Sequence, residues 1–266
     1  MATKTAPKKT TAPEQPKRNL PARQQAAGLP SNVSYGGLAG AGLEGADRES
    51  YALPFILVLQ KMSPQLDRNH SQFVKGAKEG DFYNTASGEV YDGEEGILVA
   101  PVSFKRSFTA WTIREKGGGF RGEHMPSDPI VMTTVQDEKN RNILPDRQTQ
   151  LVDTRLHAVI LITESKAIPA LMSLTSTQLK KSKKWVSAMS EKQSTDNLPT
   201  LAHAYTIKTI PEKNDKGSWM GLQIDYAAPV ADQEHIDAGV AFYKALQSGQ
   251  AKMAANEKMN GADSDE

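Results

Sequence analysis

The sequence contains no cysteine, which removes thiol catalysis, disulfide staples and Cys-ligated zinc together and gives no sign of an oxidising compartment. A reducing cytoplasm is the expected home. Long hydrophobic runs are missing as well. The longest uncharged apolar stretch, Tyr51 to Gln60, is about half the ~20 residues a bilayer helix needs, so no transmembrane span is expected. The N-terminus lacks the apolar h-region of a secretory signal, and Pro7, Pro13, Pro16 and Pro21 break the amphipathic helix of a transit peptide. Metal and nucleotide signatures are equally scarce. His70, His124, His157, His203 and His235 show no H-x-x-x-H spacing. Gly117-Gly118-Gly119 does not sit in a phosphate-binding loop pattern. No metal, no catalytic residue and no cofactor is expected.

What is present is a chain of 266 residues, 38% hydrophobic, with mean hydropathy −0.52. That supports one core of moderate size with unstructured ends. The net charge of +1 averages over unlike segments. Residues 1–30 hold Lys4, Lys8, Lys9, Lys17, Arg18 and Arg23 against Glu14, whereas 254–266 holds Glu257, Asp263, Asp265 and Glu266 against Lys258. The composition predicts a disordered basic arm over 1–48, a folded domain over 49–249 and a flexible acidic tail over 250–266.

Within the domain, LPFILVLQ (53–60) reads as a buried strand and DFYNTASGEVY (81–91) as a hairpin turning at Ser87-Gly88. GILVAPVSF (96–104) leads through Lys105-Arg106-Ser107 into FTAWTIR (108–114), a second expected hairpin. Residues 116–150, rich in Gly and Pro, read as a long loop. TRLHAVILIT (154–163) turns apolar on both faces, the mark of a central strand. AIPALMSL (167–174) follows as a strand, and 175–190 as a helix with Leu179, Ser182, Trp185, Val186 and Met189 on one stripe. A hairpin over 201–226 and a helix N-capped by Asp232 complete the chain. From residue 96 onward this order (three strands, a helix, two strands) predicts a mainly β fold with α: an OB-like five-stranded barrel. An extra N-terminal strand and hairpin and a C-terminal helix would elaborate it.

Binding a single nucleic-acid strand needs cations for phosphates and aromatic faces for bases. The segment 102–116 offers Lys105, Arg106, Arg114 and Lys116 among Phe104, Phe108 and Trp111. A strand starting at Phe108 would put Phe108 and Arg114 on one face, while Trp111 leans towards the core. Lys180, Lys183 and Lys184 repel one another at helical spacing, a cost that a polyanion would relieve. A competing enzymatic pattern is Pro145-Asp146 followed by Glu164-Ser165-Lys166, the PD…ExK arrangement of metal-dependent nucleases.

The blocks LPFILVLQKMSP, GDFYNTASGEVY, GILVAPVSFKRSFTAW and PALMSLTSTQLKKSKKW, in that order, resemble a family of tailed-bacteriophage single-stranded DNA-binding proteins. The resemblance implies an OB-like fold that coats single-stranded DNA in replication or recombination, in the host cytoplasm if the chain is phage-encoded. Replication or recombination proteins would be reached through the acidic tail, although NGADSDE lacks the terminal apolar anchor of bacterial counterparts. A phage structural or scaffolding protein with charged assembly arms is a further alternative.

Overall fold

The computed structural model describes Gly42 and residues 53–215 and 217–254; apart from Gly42 the expected basic arm lies outside them, as do residues 255–266 of the expected acidic tail. The described chain is mainly β with two helices, and its large sheet curls into a half-barrel. Short strands β1 (Ile56–Val58), β2 (Phe82–Asn84) and β3 (Val90–Tyr91) form a three-stranded antiparallel sheet. The turn between β2 and β3 places Gly88 at φ +72°, where only glycine is comfortable.

The large sheet is organised by β4 (Ile97–Thr112) and β8 (Thr149–Ile162), paired antiparallel from Leu98↔Ile162 to Thr112↔Thr149. The expected hairpin at 105–107 is therefore absent, and 97–112 is one strand of 16 residues. Lys105-Arg106-Ser107 contains no residue suited to positive φ, and polar side chains can stand on a pleat without breaking it. Phe104, Arg106, Phe108 and Ala110 share one face, and Lys105, Ser107, Thr109 and Trp111 the other. A bulge between Pro101 and Ser103 resets the register.

Residues 116–150 are not one loop. They carry β5 (Phe120–His124) on the free side of β4 and a 3-10 turn over Pro129–Thr133, followed by β6 (Val135–Gln136) and β7 (Asn142–Ile143). Beyond β8 come β9 (Ala167–Leu174), helix α1 (Leu179–Asp196), β10 (His203–Asn214), β11 (Gly217–Pro229) and helix α2 (Gln233–Gln247). Helix α1 starts after a 3-10 turn at Ser176–Gln178 and ends where Asn197 turns left-handed at φ +51°. Asp232 caps α2 as expected, its side chain accepting from the Glu234 N–H at 2.9 Å. The large sheet has eight strands where the sequence suggests a five-stranded barrel; β5, β6 and β7 supply the surplus.

Through β4 and β8 the strands run in the order β9-β8-β4-β10-β11, all antiparallel. Met172 and Leu174 of β9 meet Leu222 of β11 in one cluster around Val99, Val159, Leu161, Tyr205 and Ile207, with Trp185 and Met189 of α1. Strands at opposite ends of the path reach the same core, so this face is concave and α1 closes it. The convex face buries Ala100, Val102, Leu156, Ala158, Ile160 and Leu171 under Phe242 and Leu246 of α2. Burial of 156–161 on both faces fits the alternation-free run in the sequence. Gln60 fastens the small sheet to the edge of β11: its amide donates to the Met220 carbonyl and accepts from the Met220 N–H, each at 2.9 Å.

Candidate nucleic-acid interface

The side chains that could meet a nucleic acid are divided by the pleat of β4. On the concave face, beyond the part that α1 covers, stand Phe104, Arg106 and Phe108. Phe104 is 40% exposed and its ring lies 5.0 Å from that of His157, its neighbour across the β4–β8 ladder. Arg106 is exposed and donates twice to Asp153, from Nε to Oδ1 at 3.2 Å and from Nη2 to Oδ2 at 2.7 Å. Its guanidinium carbon sits 5.3 Å from the Phe108 ring centroid, a cation–π distance. The Asp153 hydrogen bond is also what raises the affinity of Arg106 for its proton. Phe108 is half-buried against Ala110, Leu144, Leu151 and Val131. Arg155, opposite Arg106 in the ladder, approaches Asp153 at 3.8 Å and donates to the Leu179 carbonyl at the start of α1 at 3.5 Å.

Lys105 faces the other way. Its Nζ donates to Glu123 of β5 at 2.8 Å and to the Met253 carbonyl at 3.1 Å, so it clamps the end of the described chain. Trp111 is a core residue, 6% exposed, with Nε1 donating to Thr109 Oγ1 at 3.0 Å and its ring packed edge-on against Phe120. Arg114 and Lys116 are exposed in a 3-10 turn past the end of β4, so the expected sharing of a strand face by Phe108 and Arg114 does not occur. The nine sequence candidates thus fall into four groups. Arg106 and Phe108 stand together, Lys180, Lys183 and Lys184 line α1, Arg114 and Lys116 sit at the far tip, and Lys105 and Trp111 face away.

On α1 the expected stripe holds: Ser182, Trp185 and Met189 are buried, and Lys180, Lys183 and Lys184 are exposed. Lys181, on one flank, pairs with Glu212 of β10 at 2.5 Å. His157 joins the two patches. Its Nε2 and the Ser182 hydroxyl are 2.8 Å apart, and its ring stacks on Trp185 at 4.4 Å. Burial, and then the charge of Arg155, push its pKa down to about 3, so it is neutral at any ordinary pH.

Phe104, one of the aromatic residues that the sequence offers in 102–116, is exposed on the concave face, whereas Arg155 joins the candidates only through its place opposite Arg106 in the ladder. The nuclease set is not assembled. Asp146 accepts from the Gln148 and Thr149 N–H groups and the Thr149 hydroxyl just before β8, while Glu164 and Lys166 lie just after it. A strand of 14 residues separates them, roughly 45 Å. Among the described residues no group of three His, Asp or Glu could hold a metal, and no helix is long and apolar enough to cross a membrane.

The model of one family, described as Pam3 phage gp34-like protein, matches residues 22–252. The chain belongs to that phage protein family. The match takes in every described strand and both helices, the lysine-bearing α1 included, so the whole half-barrel is the family's unit. No curated protein and no solved structure matches the chain.

Proposed function

We propose that this phage protein is a non-enzymatic single-stranded DNA-binding protein that coats DNA during replication or recombination with little regard to sequence. The observation that carries the reading is the concave-face surface where Phe104 and Arg106 are exposed, beside a largely buried Arg155, at the start of a helix bearing Lys180, Lys183 and Lys184. An exposed ring beside Arg106, whose guanidinium is shared with Asp153, and beside the exposed lysines of α1 suits a flexible, charged, base-exposing ligand. The strand order supports the same reading. The path β9-β8-β4-β10-β11, with α1 between β9 and β10 in sequence, is what the OB reading asks for: an order 3-2-1-4-5, opened between the third and fifth strands. OB folds carry oligonucleotides on the face of strands 2 and 3 and on adjoining loops. Here the convex face is apolar and lies under α2, so we place the strand at the mouth of the concave face.

Anisotropy of labelled oligo(dT) and of a duplex, titrated with salt, tests the proposal. The expected outcome is preference for the single strand and a slope of log K against log salt of about −0.7 for each phosphate neutralised. A slope near zero overturns it. A role in phage assembly is the second reading, supported by Met125, Met132 and Val135, which are 48%, 86% and 70% exposed on the β5–β6 insertion. It predicts self-association or capture of a virion protein with no retarded DNA.

A further inference from the structure

Five aromatic rings form an unbroken row across the concave face. Phe104 meets His157, His157 stacks on Trp185, Trp185 meets Tyr205 edge-on, and Tyr205 meets Tyr226 edge-on. The centroid steps are 5.0, 4.4, 5.9 and 5.8 Å, so the end rings are at most about 21 Å apart. The three middle rings are buried. The two end rings are not, Phe104 being 40% and Tyr226 41% exposed.

Trp185 belongs to α1, so the row passes beneath the helix and emerges at Phe104 on the β4–β8 side and at Tyr226 on β11. Cations accompany both ends. Arg106 follows Phe104 by two residues on the same strand face, its guanidinium over Phe108, and Lys192 of α1 holds its ammonium 4.6 Å from the Tyr226 centroid while paired to Asp196 at 3.0 Å. Between the two ends runs the crest of α1. At 100° per residue Lys180 and Lys184 lie opposite the buried Ser182, pointing straight outward.

We infer that Tyr226 with Lys192 is a second base-stacking site, and that one DNA strand straddles α1, its bases at Phe104 and Tyr226 and its phosphates over Lys180 and Lys184. The inference rests on the single-strand reading above and adds to it a path and a far end. Stacking on the exposed Tyr226 face would draw Lys192 from Asp196 towards the phosphate of that nucleotide. The buried rings keep both platforms in fixed orientation, so little side-chain entropy is lost when a base lands on either.

Two ligands are compared, the dinucleotide d(TT) and an oligo(dT) of about 16 nucleotides, the upper end of single OB-fold sites. With one internucleotide linkage the dinucleotide cannot place bases at both ends of a path over a helix about 10 Å wide. Anisotropy at low salt would compare the full chain with Phe104→Ala, Tyr226→Ala and Tyr226→Phe. Thermal melts would confirm that the variants fold. The expected result is that Phe104→Ala weakens both lengths, Tyr226→Ala weakens only the longer by about tenfold, and Tyr226→Phe binds like the parent. If Phe104→Ala weakens binding and Tyr226→Ala does not, the second site is wrong while the single-strand reading stands. Equal loss at both lengths in Tyr226→Ala overturns the straddling path. Failure of the parent protein to bind either oligonucleotide removes the single-strand reading and the inference together.

Discussion

His157 shows how a polar side chain can serve a packed interface. It is wedged between Phe104 and Trp185 with one ring nitrogen on Ser182, and burial holds its pKa at about 3 against an ordinary 6.5. The folded state keeps it neutral while the unfolded chain protonates it as pH falls through 6.5, so acid drains stability by linkage between about pH 6.5 and 3. The slope from one such group approaches 1.4 kcal/mol per pH unit. Thermal unfolding followed across that window should show the decline, and His157→Phe should flatten it, even though the variant loses the Ser182 contact. The aromatic residues of β4 should respond in opposite ways. Trp111→Ala should destabilise by about 3–5 kcal/mol with little effect on the oligonucleotide affinity of the folded fraction. Phe104→Ala should leave the melting temperature nearly unchanged and weaken binding by about 1–3 kcal/mol per lost stack.

At the scale of elements, α1 was legible in the sequence and β4 was not, for a physical reason. The stripe of Leu179, Ser182, Trp185 and Met189 has the helical period, and its polar complement is unambiguous. In β4 the cations at 105 and 106 resemble a polar break, yet one is neutralised by Glu123 and the other by Asp153, both on neighbouring strands far away in sequence. Local reading has no access to those partners. The same blindness affects the candidate binding residues: with 97–112 as one strand, alternation sends Lys105 and Trp111 to the face opposite Arg106 and Phe108. The strands β5 to β7 went unseen because they are two to five residues long and exist through pairing with longer neighbours. The central strand and the Asp232 cap were visible because burial on both faces and N-capping leave local signatures. For α1 the expected behaviour is electrostatic. Replacing Lys180, Lys183 and Lys184 together with Gln should leave the fold intact. It should also reduce the salt slope of single-strand binding by about 2 if each contacts one phosphate; an unchanged slope would mean that the lysines only face solvent.

For the whole molecule, the charges at the two ends set expectations that the folded part helps to frame. Lys105 and the Met253 carbonyl, together with the packing of Ala251 and Met253 on the convex-face core, fix where the last 12 residues begin. Removing 254–266, a segment of net charge −3, should tighten single-strand binding at low salt. Removing 1–30, of net charge +5, should weaken it. Both effects should fade towards physiological salt, where the Debye length is ~8 Å. Anisotropy on the two truncations decides; unchanged affinity at low salt would confine the termini to solubility or partner recruitment.

The two sides of β4 are filled at very different times during synthesis. One side finds β8 about 50 residues later, but Val99 pairs with Tyr205 of β10, over 100 residues downstream. At 5–20 residues per second a ribosome needs on the order of ten seconds to deliver that strand. Until then the nascent chain carries Ile97, Val99, Val159 and Leu161 with neither β10 nor the finished core to cover them. Slow, late closure of this kind favours aggregation when many chains are made at once. Recombinant production should therefore yield more soluble protein on cooling or with chaperone co-expression, and chains truncated before His203 should be insoluble, whatever their affinity for DNA.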